Sequence, residues 1–216
     1  MEDRNFDYIN KLYQAQVAFK DQAKRISIGE RVNLLKKLKN LIHQNESKIK
    51  AAIYNDFRKS AIETETTEIL ASILELNHII KNLKKWAKPK SVGSSLLFAT
   101  TSAKLIYEPK GNTLIITPWN YPFQLPIVHL AGSIAAGNTV ILKLSEFTPH
   151  INKVIKELLA DLFDKNHVAV LEGEVEETTH VLKLKFDHIH FTGSPAVGKI
   201  IMEAAAKHLT DITLEL

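Results

Sequence analysis

Thr113-Leu114-Ile115-Ile116-Thr117-Pro118-Trp119-Asn120-Tyr121-Pro122-Phe123 reads as a short apolar strand running into a proline-bounded turn, and a second apolar run, Leu125 to Ala136, follows it. Pro118 and Pro122 restrict the turn and remove two backbone donors. The Asn120 amide keeps both a donor and an acceptor to offer. Either Asn120 points into an active site, or the turn buries Trp119 and leaves Asn120 solvated.

Downstream the strand-to-helix pattern repeats. Strands are expected at 112–117, 139–143, 167–172, 188–192 and 211–216, with helices at 122–136, 149–163, 176–182 and 195–209. The strands are short, β-branched and apolar on both faces, as in Val140-Ile141-Leu142, which suits burial in a parallel sheet. Right-handed β-α-β links then give an α/β fold with a doubly wound, Rossmann-like sheet, whose ligand lies at the carboxyl ends of the strands.

Upstream, residues 1–90 read as helices. Ile9, Leu12, Tyr13, Gln16 and Phe19 recur at helical spacing, as do Val32, Leu35, Leu38 and Ile42. Ser27-Ile28-Gly29-Glu30 has capping-box spacing. A later stripe of Ile62, Ile69, Ile73, Leu76, Ile80, Leu83 and Trp86 reads as core rather than a partner surface. Ser91 to Ser95 looks like a linker, and Leu96 to Tyr107 like a β-ribbon, pairing within its own chain or with another subunit. Three parts are therefore expected: a helical part, 1–90, a linker and ribbon, 91–110, and the Rossmann-like part, 111–216.

Composition narrows the function classes. Residues 1–110 hold 20 Lys/Arg against 12 Asp/Glu, a net +8, while residues 111–216 hold 8 against 12, a net −4. The basic half has no aromatic interleaving and its lysines fall on polar helix faces, so nucleic acid is not the expected partner. No apolar run approaches the roughly 20 residues of a membrane span, and Met1-Glu2-Asp3-Arg4 does not open a signal peptide, so a cytoplasmic protein is expected. There is no cysteine, which excludes disulfides, thiolate metal sites and a cysteine nucleophile within these residues.

Chemistry-bearing residues collect at the predicted strand ends. Lys143 and Glu146 either bracket a sugar or form an ion pair, and Thr148-Pro149 looks like a helix cap. In Phe191-Thr192-Gly193-Ser194-Pro195-Ala196-Val197-Gly198, Gly193 permits a tight turn and Ser194 can cap the helix. Its positive end suits a pyrophosphate, although a plain cap explains the residues equally. Glu215, between two leucines, is either a buried carboxylate suited to general-base work or an exposed terminal residue. The nine histidines lack metal-ligand spacing; His188 and His190 share a strand face and read as structural, and no metal is expected.

Taken together, four ordered motifs resemble the aldehyde dehydrogenase superfamily, particularly its class 3-like members. They are Pro-Trp-Asn-Tyr-Pro at 118–122, Ala-Ala-Gly-Asn-Thr-Val-Ile-Leu-Lys-Leu-Ser-Glu at 135–146, Phe-Thr-Gly-Ser at 191–194 and Leu-Glu-Leu at 214–216. The resemblance implies NAD, with NADP possible, and an aldehyde substrate for the full-length parent. It implies that Asn120 donates to the oxyanion of a thiohemiacetal and that Glu215 activates water. It further implies that Lys143 and Glu146 hold the adenosine ribose, that Thr192, Gly193, Ser194 and Gly198 line the dinucleotide site, and that Ile116, Thr117, Pro118 and Trp119 frame its path. The ribbon resembles the family's oligomerisation hairpin, which implies a homo-oligomer, the simplest being a homodimer.

Two departures stand out. Leu144 occupies a position where the family usually has proline. The family's thiol nucleophile lies beyond Leu-Glu-Leu and two glycines, in a downstream catalytic domain. These residues are thus expected to be the N-terminal part of such an enzyme, truncated before that domain and inactive alone. Two alternatives are an acyl-phosphate reductase of the same superfold using NADPH, and a non-catalytic module for assembly or regulation.

Overall fold

The computed structural model describes residues 2–93, 97 and 100–216. Helices α1 (Glu2–Arg25), α2 (Ile28–Gln44), α3 (Glu46–Phe57), α4 (Ala61–Thr64) and α5 (Ala71–Trp86) open the chain, with a π-helical turn, Glu65–Leu70, between the last two. Strands β1 (Lys90–Val92) and β2 (Ala103–Leu105) follow, and then β3 (Asn112–Ile116), α6 (Gln124–Ala136), β4 (Thr139–Lys143), α7 (Pro149–Ala160) and β5 (Val168–Leu171). Helix α8 (Val175–Val181), β6 (His188–Thr192), α9 (Pro195–Ala206) and β7 (Asp211–Glu215) complete it.

The five strands β3–β7 form one parallel sheet in the order β5-β4-β3-β6-β7. Its two faces follow from the two-residue period of a strand. Ile115, Val140, Leu142 and Val168 point into a core shared with α2, α3, α5, α6 and α7. Leu114, Ile116, Ile141, Ala169, Leu171, Ile189 and Phe191 point the other way, onto α1, α8 and α9. Chain order reverses between β3 and β6, and that reversal opens a crevice at their carboxyl ends.

Local chemistry sets the ends of these elements. Ser27 and Glu30 form the expected capping box, with Ser27 Oγ accepting from Glu30 N at 3.2 Å and Glu30 Oε2 from Ser27 N at 2.9 Å. Helix α6 ends at Gly137, whose φ of 89° is the left-handed conformation that favours glycine. There the Arg31 guanidinium donates to the Ala136 carbonyl at 3.0 Å.

Several expectations need correction. Ile62 is 78% exposed and Trp86 is 43% exposed, while Ile79 is buried. The π-helical turn shifts the phase between Ile62 and the residues after it, which a constant 3.6-residue period cannot anticipate, while Trp86 is the last residue of α5 and lies beyond its buried face. Thr148 sits at the N-cap of α7 without a capping bond from its hydroxyl. Asp56 of α3 caps it instead, accepting from His150 N at 3.0 Å and Ile151 N at 2.9 Å. The ribbon pairs within the chain, Lys90–Val92 antiparallel to Ala103–Leu105, so Ser91 and Val92 belong to a strand rather than a linker. The expectations for 94–96, 98 and 99 lie outside the described residues. Strand β7 is not buried on both faces; it is the sheet edge, with exposed and half-buried residues alternating.

Candidate functional site

The turn after β3 is pinned at both ends. Thr117 N donates to the Lys143 carbonyl at 3.2 Å, extending the β3–β4 ladder by one residue. The Thr117 hydroxyl is buried and has no hydrogen-bond partner. Beyond it Pro118 is half-buried, and Trp119 and Asn120 are exposed. The indole is thus not the buried anchor of the turn.

That anchor comes from elsewhere in the chain. Glu68, in the π-helical turn, is fully buried and accepts through Oε2 from Phe123 N at 3.1 Å and Gln124 N at 2.9 Å. These amides open α6, where a carboxylate is favoured by unpaired N–H groups and the helix dipole. Glu68 Oε1 accepts from Lys59 Nζ at 2.6 Å, and the ammonium lies 4.4 Å from the Tyr121 ring centroid. A buried carboxylate, a buried ammonium and an aromatic face therefore hold the residues on either side of Asn120. Sequence reasoning missed this pair. The one available signal was an acidic residue, Glu68, next to Ile69 inside an apolar stripe.

At the end of β4, Lys143 and Glu146 meet at 3.4 Å, and Lys143 Nζ also donates to the Leu144 carbonyl at 2.8 Å. The Lys143 side chain is buried and that of Glu146 is partly exposed, so this is no ordinary surface pair. Burial holds the lysine's pKa below its usual value, opposed by the carboxylates of Glu146 and Glu177. Leu144 fills the core, and its N–H donates to the Leu171 carbonyl at 3.3 Å. A proline could not make that bond.

At the end of β6, Ser194 caps α9 as expected, accepting from Val197 N at 3.4 Å with Pro195 in the first turn. Gly193 is needed for close approach: a Cβ there would fall 2.4 Å from the Phe191 ring. A Cβ at Gly198 would fall 2.7 Å from Leu216. Gly193 N donates to the Glu215 carbonyl at 3.0 Å, tying the loop to β7. Glu215 is half-exposed, and its Oε2 accepts from Thr192 Oγ1 at 3.1 Å and lies 3.5 Å from His129 Nε2. Pro118, Trp119, Asn120, Thr192, Gly193 and Glu215 thus line one open cleft of about 730 Å³. Lys143 and Glu146 do not line it; they stand one strand away.

A model of the aldehyde dehydrogenase family matches residues 4–216. The chain belongs to that family. Among aldehyde dehydrogenases, mouse family 3 member B2 is 47% identical over 182 residues, which are 84% of this chain and 38% of the relative. The substrate-bound structure of Staphylococcus aureus AldH superposes with a TM-score of 0.93 at 42% identity, over 96% of this chain and 45% of that one. A Mycobacterium tuberculosis aldehyde dehydrogenase complexed with NAD+ shares the fold, with a TM-score of 0.89 at 21% identity over 98% of this chain and 44% of that one. The chain spans about half the length, or less, of the curated relatives it matches. Among the described residues no helix is long and apolar enough to cross a membrane.

Proposed function

We propose that this chain supplies the dinucleotide-binding part of an NAD(P)-dependent aldehyde dehydrogenase. In the whole protein, Asn120 would stabilise the oxyanion and Glu215 would activate the water that releases the acid. The observation that carries the reading is the convergence of Asn120, Thr192, Gly193 and Glu215 on one cleft at the β3–β6 switch point. Ligands of doubly wound sheets collect at that point, and an amide donor and a carboxylate are the groups that oxyanion stabilisation and water activation call for.

The residues present fit a dinucleotide. The twelve-residue helix α9 turns its positive end toward the cleft behind Ser194, which suits a pyrophosphate. The Thr117 hydroxyl is buried without a partner beside this path, with Ile116 and Pro118 around it. Lys143 and Glu146 would hold ribose hydroxyls, and Glu146 would favour a free 2′-hydroxyl over a 2′-phosphate. When bound, the nicotinamide would accept the hydride; the residues above would hold its dinucleotide and shape its surroundings. The nucleophile, the aldehyde pocket and the partner copy for the β1–β2 ribbon would belong to the whole protein, a homo-oligomer in this reading.

Calorimetric titration of the 216-residue chain with NAD+ and NADP+ tests the binding claim. Heat is expected for NAD+, weaker heat for NADP+, and a gain for NADP+ in Glu146→Gln. Absence of heat with both at millimolar concentration would sink the reading.

A further inference from the structure

The geometry points to a binding site for a divalent transition cation of the zinc type, formed by His129 of α6, His190 of β6 and Glu215 of β7. One ligand atom from each of these residues lies within 4.8 Å of the other two. The imidazole centroids are 3.8 Å apart with the rings inclined at 38°, and His129 Nε2 is 3.5 Å from Glu215 Oε2. Three elements far apart in sequence bring them together: His190 and Glu215 share a face of the sheet, and α6 lays His129 over it. Sequence spacing therefore gave no hint of the cluster.

A second observation aims a ligand atom into the same space. His129 Nε2 is buried and makes no hydrogen bond. The Glu215 carboxylate at 3.5 Å is its ion-pair contact, and a buried ring nitrogen that makes no hydrogen bond calls for an explanation; a coordinated cation would satisfy it. Burial holds His129 below the ordinary histidine pKa and lowers His190 to about 4.

Ligand chemistry selects the cation. Two imidazoles and one carboxylate suit Zn2+, Co2+ and Ni2+, whereas Mg2+ and Ca2+ prefer oxygen ligands. Tetrahedral coordination with bonds of about 2.0–2.2 Å places ligand atoms roughly 3.3 Å apart. His129 Nε2 and Glu215 Oε2, 3.5 Å apart, already stand near that separation, and all three ligand atoms lie within 4.8 Å of one another. The exposed side of Glu215 leaves the remaining coordination position to water. His188, Asp211 and Lys110 lie toward the other end of the same strands, where His188 Nδ1 faces Asp211 at 3.7 Å and Lys110 also pairs with Asp211. That acid is thus engaged elsewhere. One consequence rests on the proposed function: a bound cation would occupy the carboxylate assigned to water activation and so inhibit the longer enzyme reversibly.

The test is titration of the 216-residue chain with ZnCl2 by calorimetry and with CoCl2 by visible absorption. One equivalent of Zn2+ is expected to bind, Co2+ to show a tetrahedral d–d band, and Mg2+ to give no heat. His129→Ala and His190→Ala should each weaken Zn2+ by at least about tenfold, the lower end of what lost support costs a metal site. Glu215→Gln, at a half-exposed side chain, should do the same. His43→Ala, at a distant surface histidine paired with Glu46, should bind like the wild type. Equal affinity in wild type, H190A and E215Q, or no binding by the wild type, overturns the site. Zinc heat without NAD+ heat would break only the proposed function, and NAD+ heat without zinc heat would break only the metal site.

Discussion

The turn that carries Asn120 stands on a buried ion pair, whereas Glu215 stands on the edge strand with β6 at one side of it. Around Asn120, Glu68 caps α6 through two amides and binds a lysine that is itself buried. Around Glu215, the carboxylate takes one hydroxyl hydrogen bond at 3.1 Å and is otherwise half in solvent. Both residues are proposed to act on the same carbonyl, yet the turn that carries one is tied to a buried ion pair, while the other sits on an edge strand with a single hydroxyl hydrogen bond. In this reading the oxyanion side is preorganised within these residues, and the base side waits on whatever packs over β7.

The largest effect expected follows from that contrast. Glu68→Ala removes the carboxylate, leaves the Lys59 ammonium buried without its partner and frees two amides at the start of α6. Breaking a buried pair from one side costs about 3–5 kcal/mol. Urea unfolding of the chain should show a loss of that size, together with lost NAD+ heat, because the turn over α6 would loosen. A loss below about 1 kcal/mol, the scale of an exposed ion pair, would erase the difference between the two regions.

An intermediate effect is expected where the two regions meet. Gly193 ties the β6 loop to the Glu215 carbonyl and packs against the tip of the Phe191 ring, with no room for a methyl group. Gly193→Ala should cost about 1–3 kcal/mol, the usual price of overpacking, and weaken NAD+ as the loop shifts. Thermal unfolding with and without cofactor measures both. Unchanged stability would mean that the loop yields as easily as β7 does.

The same contrast explains what could be read in advance. Strands β3 and β4 were legible because Leu114-Ile115-Ile116 and Val140-Ile141-Leu142 are apolar on both faces, and a sheet with helices on both sides is the economical way to bury them. The motif at Ser194-Pro195 was legible because capping is local. Glu68, Asp56 and His129 were not legible, since each acts on a residue between 55 and 95 positions away in the first two cases, and at 86 in the third. Only the assembled fold supplies those partners. Strand β7 misled for another reason: grouping it with strands apolar on both faces overlooks that Thr213-Leu214-Glu215-Leu216 alternates as a strand covered on one face does.

The smallest effect expected is therefore also the most telling. Glu215→Gln keeps the shape of a half-exposed side chain and retains an oxygen that can accept from Thr192 Oγ1. Substitutions at such surface positions change stability by no more than about 0.5 kcal/mol. The urea midpoint and slope of the Glu215→Gln chain should match those of the wild type, and NAD+ affinity should be nearly unchanged, since the carboxylate is assigned to water activation rather than to holding the dinucleotide. A loss of 2 kcal/mol or more, about what an unsatisfied buried partner costs, would place Glu215 in the structural frame with Glu68. The edge strand would then be as rigidly held as the turn, and the asymmetry between the two sides of the cleft would disappear.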